Sequence, residues 1–142
     1  MLRLTIDTNV MASAFRSRSG ASFGVIGLVR RKMVRMLATP PLFLEYEAVL
    51  KRPEQLAVSG LSLTDIDTAL DALAALIEPV EAHLSWRPQL DDPDDEMVLE
   101  TAINGRADAL VTYNDAHFRI AAARFGVRLA RPAEILREAI TP

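Results

Sequence analysis

The 142-residue chain has no cysteine, which excludes a disulfide framework and any thiolate-held metal and leaves a reducing compartment as the expected setting. No window reaches 18 apolar residues without a charge. The N-terminus also lacks a basic stretch leading into an apolar core and a small-residue cleavage site. The expectation is a soluble, unexported, cytoplasmic protein with no membrane span. Excess positive charge is missing too: the net charge of −3 argues against coating nucleic acid by charge alone, while leaving room for a local basic patch. No repeat, linker or low-complexity tract divides the chain. Its length suits one domain, residues 1–142, with a single substantial core.

What the chain does have is a globular composition, 50% hydrophobic and 25% charged, with its acids concentrated towards the C-terminal half. Leu2–Ile6 reads as a buried strand leading into a helix over Val10–Phe15, with Thr8 or Asn9 as cap. A Gly/Ser break precedes a helix over Phe23–Arg35, and VRMLAT reads as a second strand closed by Pro40-Pro41. A helix over Leu42–Lys51 is ended by Pro53, and Leu63–Ile77 is amphipathic, with Leu63, Ile66, Leu70, Leu73, Leu76 and Ile77 on one face. IEPVEA suggests a third strand, MVLETAINGRA a helix, DALVT a strand, Asp115–Phe125 a helix and VRLA a strand. The last helix follows Pro132, with Ile135, Leu136 and Ile140 inward. Strands alternating with helices predict an α/β fold, a parallel sheet covered on both faces, in which ligands bind at the carboxyl ends of the strands.

Four segments deliver oxygen ligands to what such a fold makes one edge. Asp7 follows the first strand; its bland role is a helix cap. Asp91 to Glu96, DDPDDE, places five carboxylates in six positions before a helix. Asp94 or Asp95 can cap that helix, but five like charges repel one another, and a nearby divalent cation relieves them. Asp95 is the expected ligand, because the helix it starts, with Met97, Val98 and Ala102 inward, must pack beside the first strand. Glu45 and Glu47 lie on a helix whose buried face is marked by Leu42, Tyr46, Val49 and Leu50; Glu45 falls at its margin and Glu47 towards solvent. In LVTYNDAHF a strand ends at Thr112, and Asn114 or Asp115 follows. Oxygen ligands without cysteine favour Mg²⁺ or Mn²⁺ over zinc.

With Asp7-Thr8-Asn9, Glu45 in EYEAVLKR, Asp95 in DPDDEMVLETA and the segment ADALVTYNDAHF, the chain resembles the PIN-domain family, most of all the VapC-like toxins of bacterial toxin–antitoxin systems. The likeness runs from Leu2 to about Ile135. It implies a three-layer α/β/α sandwich with a central, mostly parallel sheet, and an acidic site whose one or two Mg²⁺ or Mn²⁺ ions support endoribonuclease cleavage. By resemblance, Asp7 is the first acid, Glu45 the second with Glu47 in reserve, and Asp95 the third. The fourth position falls on Asn114, unless adjacent Asp115 turns inward. Thr8, Asn9 and Thr112 match small polar positions that orient the acids or bound water. The resemblance also implies an antitoxin partner seated on apolar side chains of the first two helices, Phe15, Phe23 and Val25, and a homodimer.

Among the bases, Arg16 and Arg18 are the expected phosphate contacts, with Arg30, Arg31, Lys32 and Arg35 as a further face for RNA. Trp86 and Tyr113 are candidates to stack on bases. His83 and His117 lack a second histidine at ligand spacing and are read as surface or packing residues. The competing reading is a catalytically degenerate module of the same fold that binds RNA or a protein. An aspartyl-phosphate mechanism is disfavoured because Asn9 stands where a second aspartate is expected.

Overall fold

The computed structural model describes residues 1–83, 90 and 92–140. Five parallel strands form one sheet: β1 (Arg3–Ile6), β2 (Arg35–Ala38), β3 (Glu78–Pro79), β4 (Ala109–Val111) and β5 (Leu129–Ala130), in the order β3-β2-β1-β4-β5. Leu4, Thr5 and Ile6 of β1 and all of β4 are buried, as expected where helices cover both faces of parallel strands. Eight helices lie among the described residues: α1 (Thr8–Arg16), α2 (Ala21–Arg30), α3 (Pro40–Leu50), α4 (Pro53–Ser59), α5 (Leu63–Ala74), α6 (Pro93–Asn104), α7 (Asp115–Phe125) and α8 (Pro132–Ile140). Together they make the α/β/α sandwich. α6 packs on β1, β2 and β4, while α2 joins α1 to α8. The strand order reverses between β1 and β4, so a cleft opens past their carboxyl ends.

Several boundaries differ from the sequence reading for local reasons. α2 ends at Arg30 rather than Arg35, where Lys32 takes a left-handed conformation (φ 60°) that turns the chain into β2. Pro40 and Pro41 open α3, since a helix's first turn needs no amide donors, and Thr39 caps it by accepting from the Leu42 amide at 3.3 Å. Pro53 likewise starts α4, a helix the sequence reading missed. Ser62 and Asp65 form a reciprocal capping box on α5, which leaves Leu63 54% exposed at its first position. Ile140 is 70% exposed, outside the core that Ile135 reaches. Val25 is fully buried, so it cannot belong to an exposed apolar groove. Trp86 and Asp91 lie outside the described residues.

At the sheet's amino edge Arg3 donates to Glu78 and to the Gly105 carbonyl (2.8 Å), and Arg35 joins Glu78 at 3.3 Å. A Cβ at Gly105 would stand 2.9 Å from the Thr101 carbonyl oxygen and 3.0 Å from the side chains of Leu37 on β2 and Val80 just after β3, so a larger residue there would crowd the end of α6 against the sheet. In the middle of β1 the Thr5 hydroxyl is buried without a partner. Thr5→Val exchanges an unsatisfied hydroxyl for a methyl of the same shape and should stabilise the chain by about 1 kcal/mol, read by chemical denaturation.

Candidate active site

Asp7 occupies the cap position of α1, yet its side chain caps nothing. Its amide donates to the Val111 carbonyl at 2.9 Å, which docks the end of β1 against β4. The carboxylate is 2% exposed and accepts from the Thr112 hydroxyl at 2.7 Å and, more weakly, from the Thr8 hydroxyl at 3.5 Å. Thr112 in turn accepts from the Asn114 amide at 2.9 Å, and the buried Tyr46 hydroxyl donates to the Ile6 carbonyl immediately before Asp7. Asp7 is thus fixed by three elements. Burial pushes its pKa above the ordinary carboxylate value, with a further push from the charge of Asp95; the Thr112 hydroxyl opposes both.

Asp95 comes from the first turn of α6. Pro93 opens that helix, and Asp92, rather than Asp94 or Asp95, caps it by accepting from the Asp94 amide at 2.9 Å. The freed Asp95 side chain, 13% exposed, lies 3.3 Å from His117 Nδ1 on α7. Burial and then the charge of Asp92 raise its pKa, against the pull of His117. α6 also buries Glu96, which accepts from the Leu90 amide at 2.6 Å, with Val98 and Ala102 inward as expected and Met97 half-buried.

A cavity of about 370 Å³ joins these groups. Of the residues singled out in the sequence, Asp7, Thr8, Asn9, Arg16, Asp95 and Asn114 line it, and Thr112 lies buried beneath Asp7. Glu45 stands at its margin: it is 3.7 Å from Arg52, and its pKa is raised first by burial and then by the charge of Asp94, both neighbours being lining residues. Glu47 is engaged with Lys51 at 2.9 Å, which leaves Glu45 as the glutamate facing the acids. Asp115 does not turn inward: Arg131 at 3.2 Å and Arg119 at 3.5 Å hold it outside the lining, and its own backbone amide, then Arg131, keep its pKa below the usual carboxylate range. Arg18 lines a separate groove with Phe15, Phe23 and Arg30. Tyr113 hydrogen-bonds the buried Ser22 at 2.7 Å.

The sequence reading missed Arg52, Gln55 and the place of His117 in this cavity. Gln55 is buried, donates to the Ala12 carbonyl at 2.9 Å and accepts from Arg16 at 3.5 Å, tying that guanidinium to the cavity wall. Its helix was hidden behind Pro53. The signal for His117 was its spacing, three residues after Asn114 and so one helical turn along the same side. His83 is exposed and pairs with Glu81.

The donor set suits a hard divalent cation. Crowding of Asp7, Asp92, Asp94 and Asp95 leaves negative charge uncompensated, and the Asn9 Oδ1 atom is buried without a partner beside Asp7. Among the described residues no three acids or histidines already stand at ligand spacing. An ion held here would therefore have to complete its shell with water and substrate oxygens. The support of Asp7 by Thr112 is itself testable. Thr112→Val should cost about 2 kcal/mol in chemical denaturation, because a buried carboxylate loses its shortest hydrogen bond.

The sequence matches the PIN domain family over residues 3–116. The fold superposes with a TM-score of 0.59 on a chain of the crystal structure of VapBC2 from Rickettsia felis bound to a DNA fragment from their promoter. The match covers 92% of this chain and 98% of that one at 14% identity. No curated protein sequence matches it. With its family match spanning four strands, the acids that line the cavity and the start of α7, this chain belongs to the PIN domain family.

Proposed function

We propose that this chain is a divalent-metal-dependent endoribonuclease of the VapC type, the toxin of a toxin–antitoxin pair, working in the cytoplasm. The observation that carries the reading is the meeting of Asp7 and Asp95, from the end of β1 and the start of α6, each with its pKa raised, in a cavity that Arg16 and Arg52 also line. Asp7 and Asp95 would hold Mg²⁺ or Mn²⁺, with Glu45 as the further acid at the margin of the cavity. When bound, the ion supplies a more acidic water, charge neutralisation at the phosphate and relief of the leaving oxygen. Thr112 and Thr8 keep the Asp7 carboxylate in one orientation. Asn9 and Asn114 present small polar groups to bound water or to the ribose. Arg16, held by Gln55, and Arg52 contact the RNA backbone and bring a phosphate past carboxylates that would otherwise repel it.

The groove of Phe15, Phe23, Ile26, Leu61 and Leu73, rimmed by Arg16, Arg18 and Arg30, is the seat of the antitoxin, and the toxin is a homodimer. The Rickettsia felis complex, solved with both VapB and VapC, supports a partner of that kind. The alternative, a degenerate module that binds without cutting, is favoured by one specific feature: the family's fourth acid is Asn114 here and Asp115 is committed to Arg131. Incubating purified, partner-free protein with a mixed cellular RNA pool separates the two. Cleavage supported by Mg²⁺ or Mn²⁺ and stopped by chelator is expected; RNA binding without cleavage under any divalent ion would give the chain to the alternative.

A further inference from the structure

We infer that the acidic cavity continues into a subsite for the nucleobase beside the scissile phosphate, a shelf on α7 made by Ala116, Ile120 and Ala121 and closed by Leu90. This rests on the ribonuclease reading and names what its substrate must offer. The shelf encloses about 380 Å³, and its polar lining consists of Asp92, Asp95 and His117, the residues it shares with the cavity. α7 is anchored by Phe118, Ala121 and Ala122, which are buried, so helical spacing turns Ala116, His117 and Ile120 outward together. Ile120 is 81% exposed, more than any other large apolar residue among those described, directly beside a cluster of carboxylates.

That combination selects its occupant. An acidic peptide would be repelled by Asp92 and Asp95, and a basic one would leave the apolar floor unused. A nucleobase is planar, neutral and apolar on its faces, and it is tethered to the phosphate that the neighbouring acids need a cation to accept. His117, held at Nδ1 by Asp95, stands between the two compartments as a side chain that a base can stack on. Single-stranded RNA presents its bases in this way; a duplex does not. The shelf therefore predicts a base preference on one side of the cut and an unpaired substrate.

The test uses trinucleotides carrying 2-aminopurine at each position in turn, with binding read from the emission of the probe in Mg²⁺ whether or not cleavage follows. Emission should respond at one position. At that position, replacing the nucleotide by an abasic one should weaken wild-type binding about tenfold, as should Ile120→Gln, a neutral change at an exposed site. Removing the base should then cost the variant little, since both changes delete one contact. Ala116→Leu, which fills the shelf, should weaken binding of the base and spare the abasic ligand. The proposal is overturned if no probe position responds, if wild type binds no trinucleotide, or if Ile120→Gln discriminates base from abasic as wild type does. It is equally overturned if the variant loses a protein partner while its nucleotide binding stays unchanged. A wild-type protein that binds through Ile120 without cutting would remove the nuclease reading and keep the subsite. Metal-dependent cutting with base discrimination untouched in Ile120→Gln would do the reverse.

Discussion

Asp7→Asn protein, free of metal at pH 7, should melt about 3 °C above the wild-type chain while losing more than about 100-fold of its RNA cleavage. The two effects have one cause. Burial, with the charge of Asp95, raises the Asp7 pKa, so between the ordinary carboxylate value and the raised one the native state holds more protons than the unfolded chain. Stability therefore falls as pH rises through that window and stays lower above it. Asparagine keeps an oxygen for the Thr112 hydroxyl and has no charge to bury, so its melting temperature lacks this decline, and the gap between the two proteins should close in acid. The carboxylate groups at the amino edge and in the capping box run the opposite way: Glu78 and Asp65 have lowered pKa values, and their contribution is lost as pH falls. Comparing wild type with a single variant across pH isolates Asp7 from them. A variant less stable than wild type at neutral pH would mean that the carboxylate is satisfied where it lies.

Asp95→Asn should abolish cleavage to a similar degree, by more than about 100-fold, with the fold retained, since its side chain carries no helix cap. Its second effect is on Asp7. Losing the Asp95 charge removes one of the influences that raise the Asp7 pKa, so the Asp7 carboxyl, followed by ¹³C NMR, should titrate at lower pH in the variant. An unmoved Asp7 titration would show that the two acids do not share a field. The gain in stability should be smaller than for Asp7→Asn, because Asp95 is less deeply buried and His117 already offsets part of its charge. At both acids protons would compete with a bound metal for the same oxygens. A metal ion held there should be released as pH falls through the raised pKa values, at higher pH than from ordinary carboxylates.

Most of the fold could be read because the strands are short apolar runs between helical spacings, and β1 and β4 are buried as their composition implies. Asp7, Asp95, Thr112 and Asn114 were legible for the same reason: each stands where a strand ends or a helix begins, and the parallel topology gathers such points at one edge. What the sequence hid was side-chain commitment. Asp115 sits next to Asn114 but answers to Arg131, 16 residues away. Helical spacing separated Glu45 at the margin from Glu47 towards solvent, but not their partners: Lys51 occupies Glu47 and Arg52 faces Glu45. Pro53 reads equally well as a stop or a start, and reading it as a stop concealed α4, and with it Gln55 and its hold on Arg16. Val25 and Ile140 were misassigned because helical spacing gives a face without saying which neighbour covers it: α2 is packed between α1 and α8, whereas Ile140, at the last position of α8, is left exposed.

The measurement to make is calorimetric titration of Mn²⁺ into the purified chain, its Asp7→Asn variant and its Asp95→Asn variant at pH 7, with no RNA present. If Asp7 faces a cation, wild type binds Mn²⁺ and each variant binds it more than about tenfold more weakly. Equal binding by all three proteins, or none by wild type, would contradict a metal site built on the end of β1 and the start of α6.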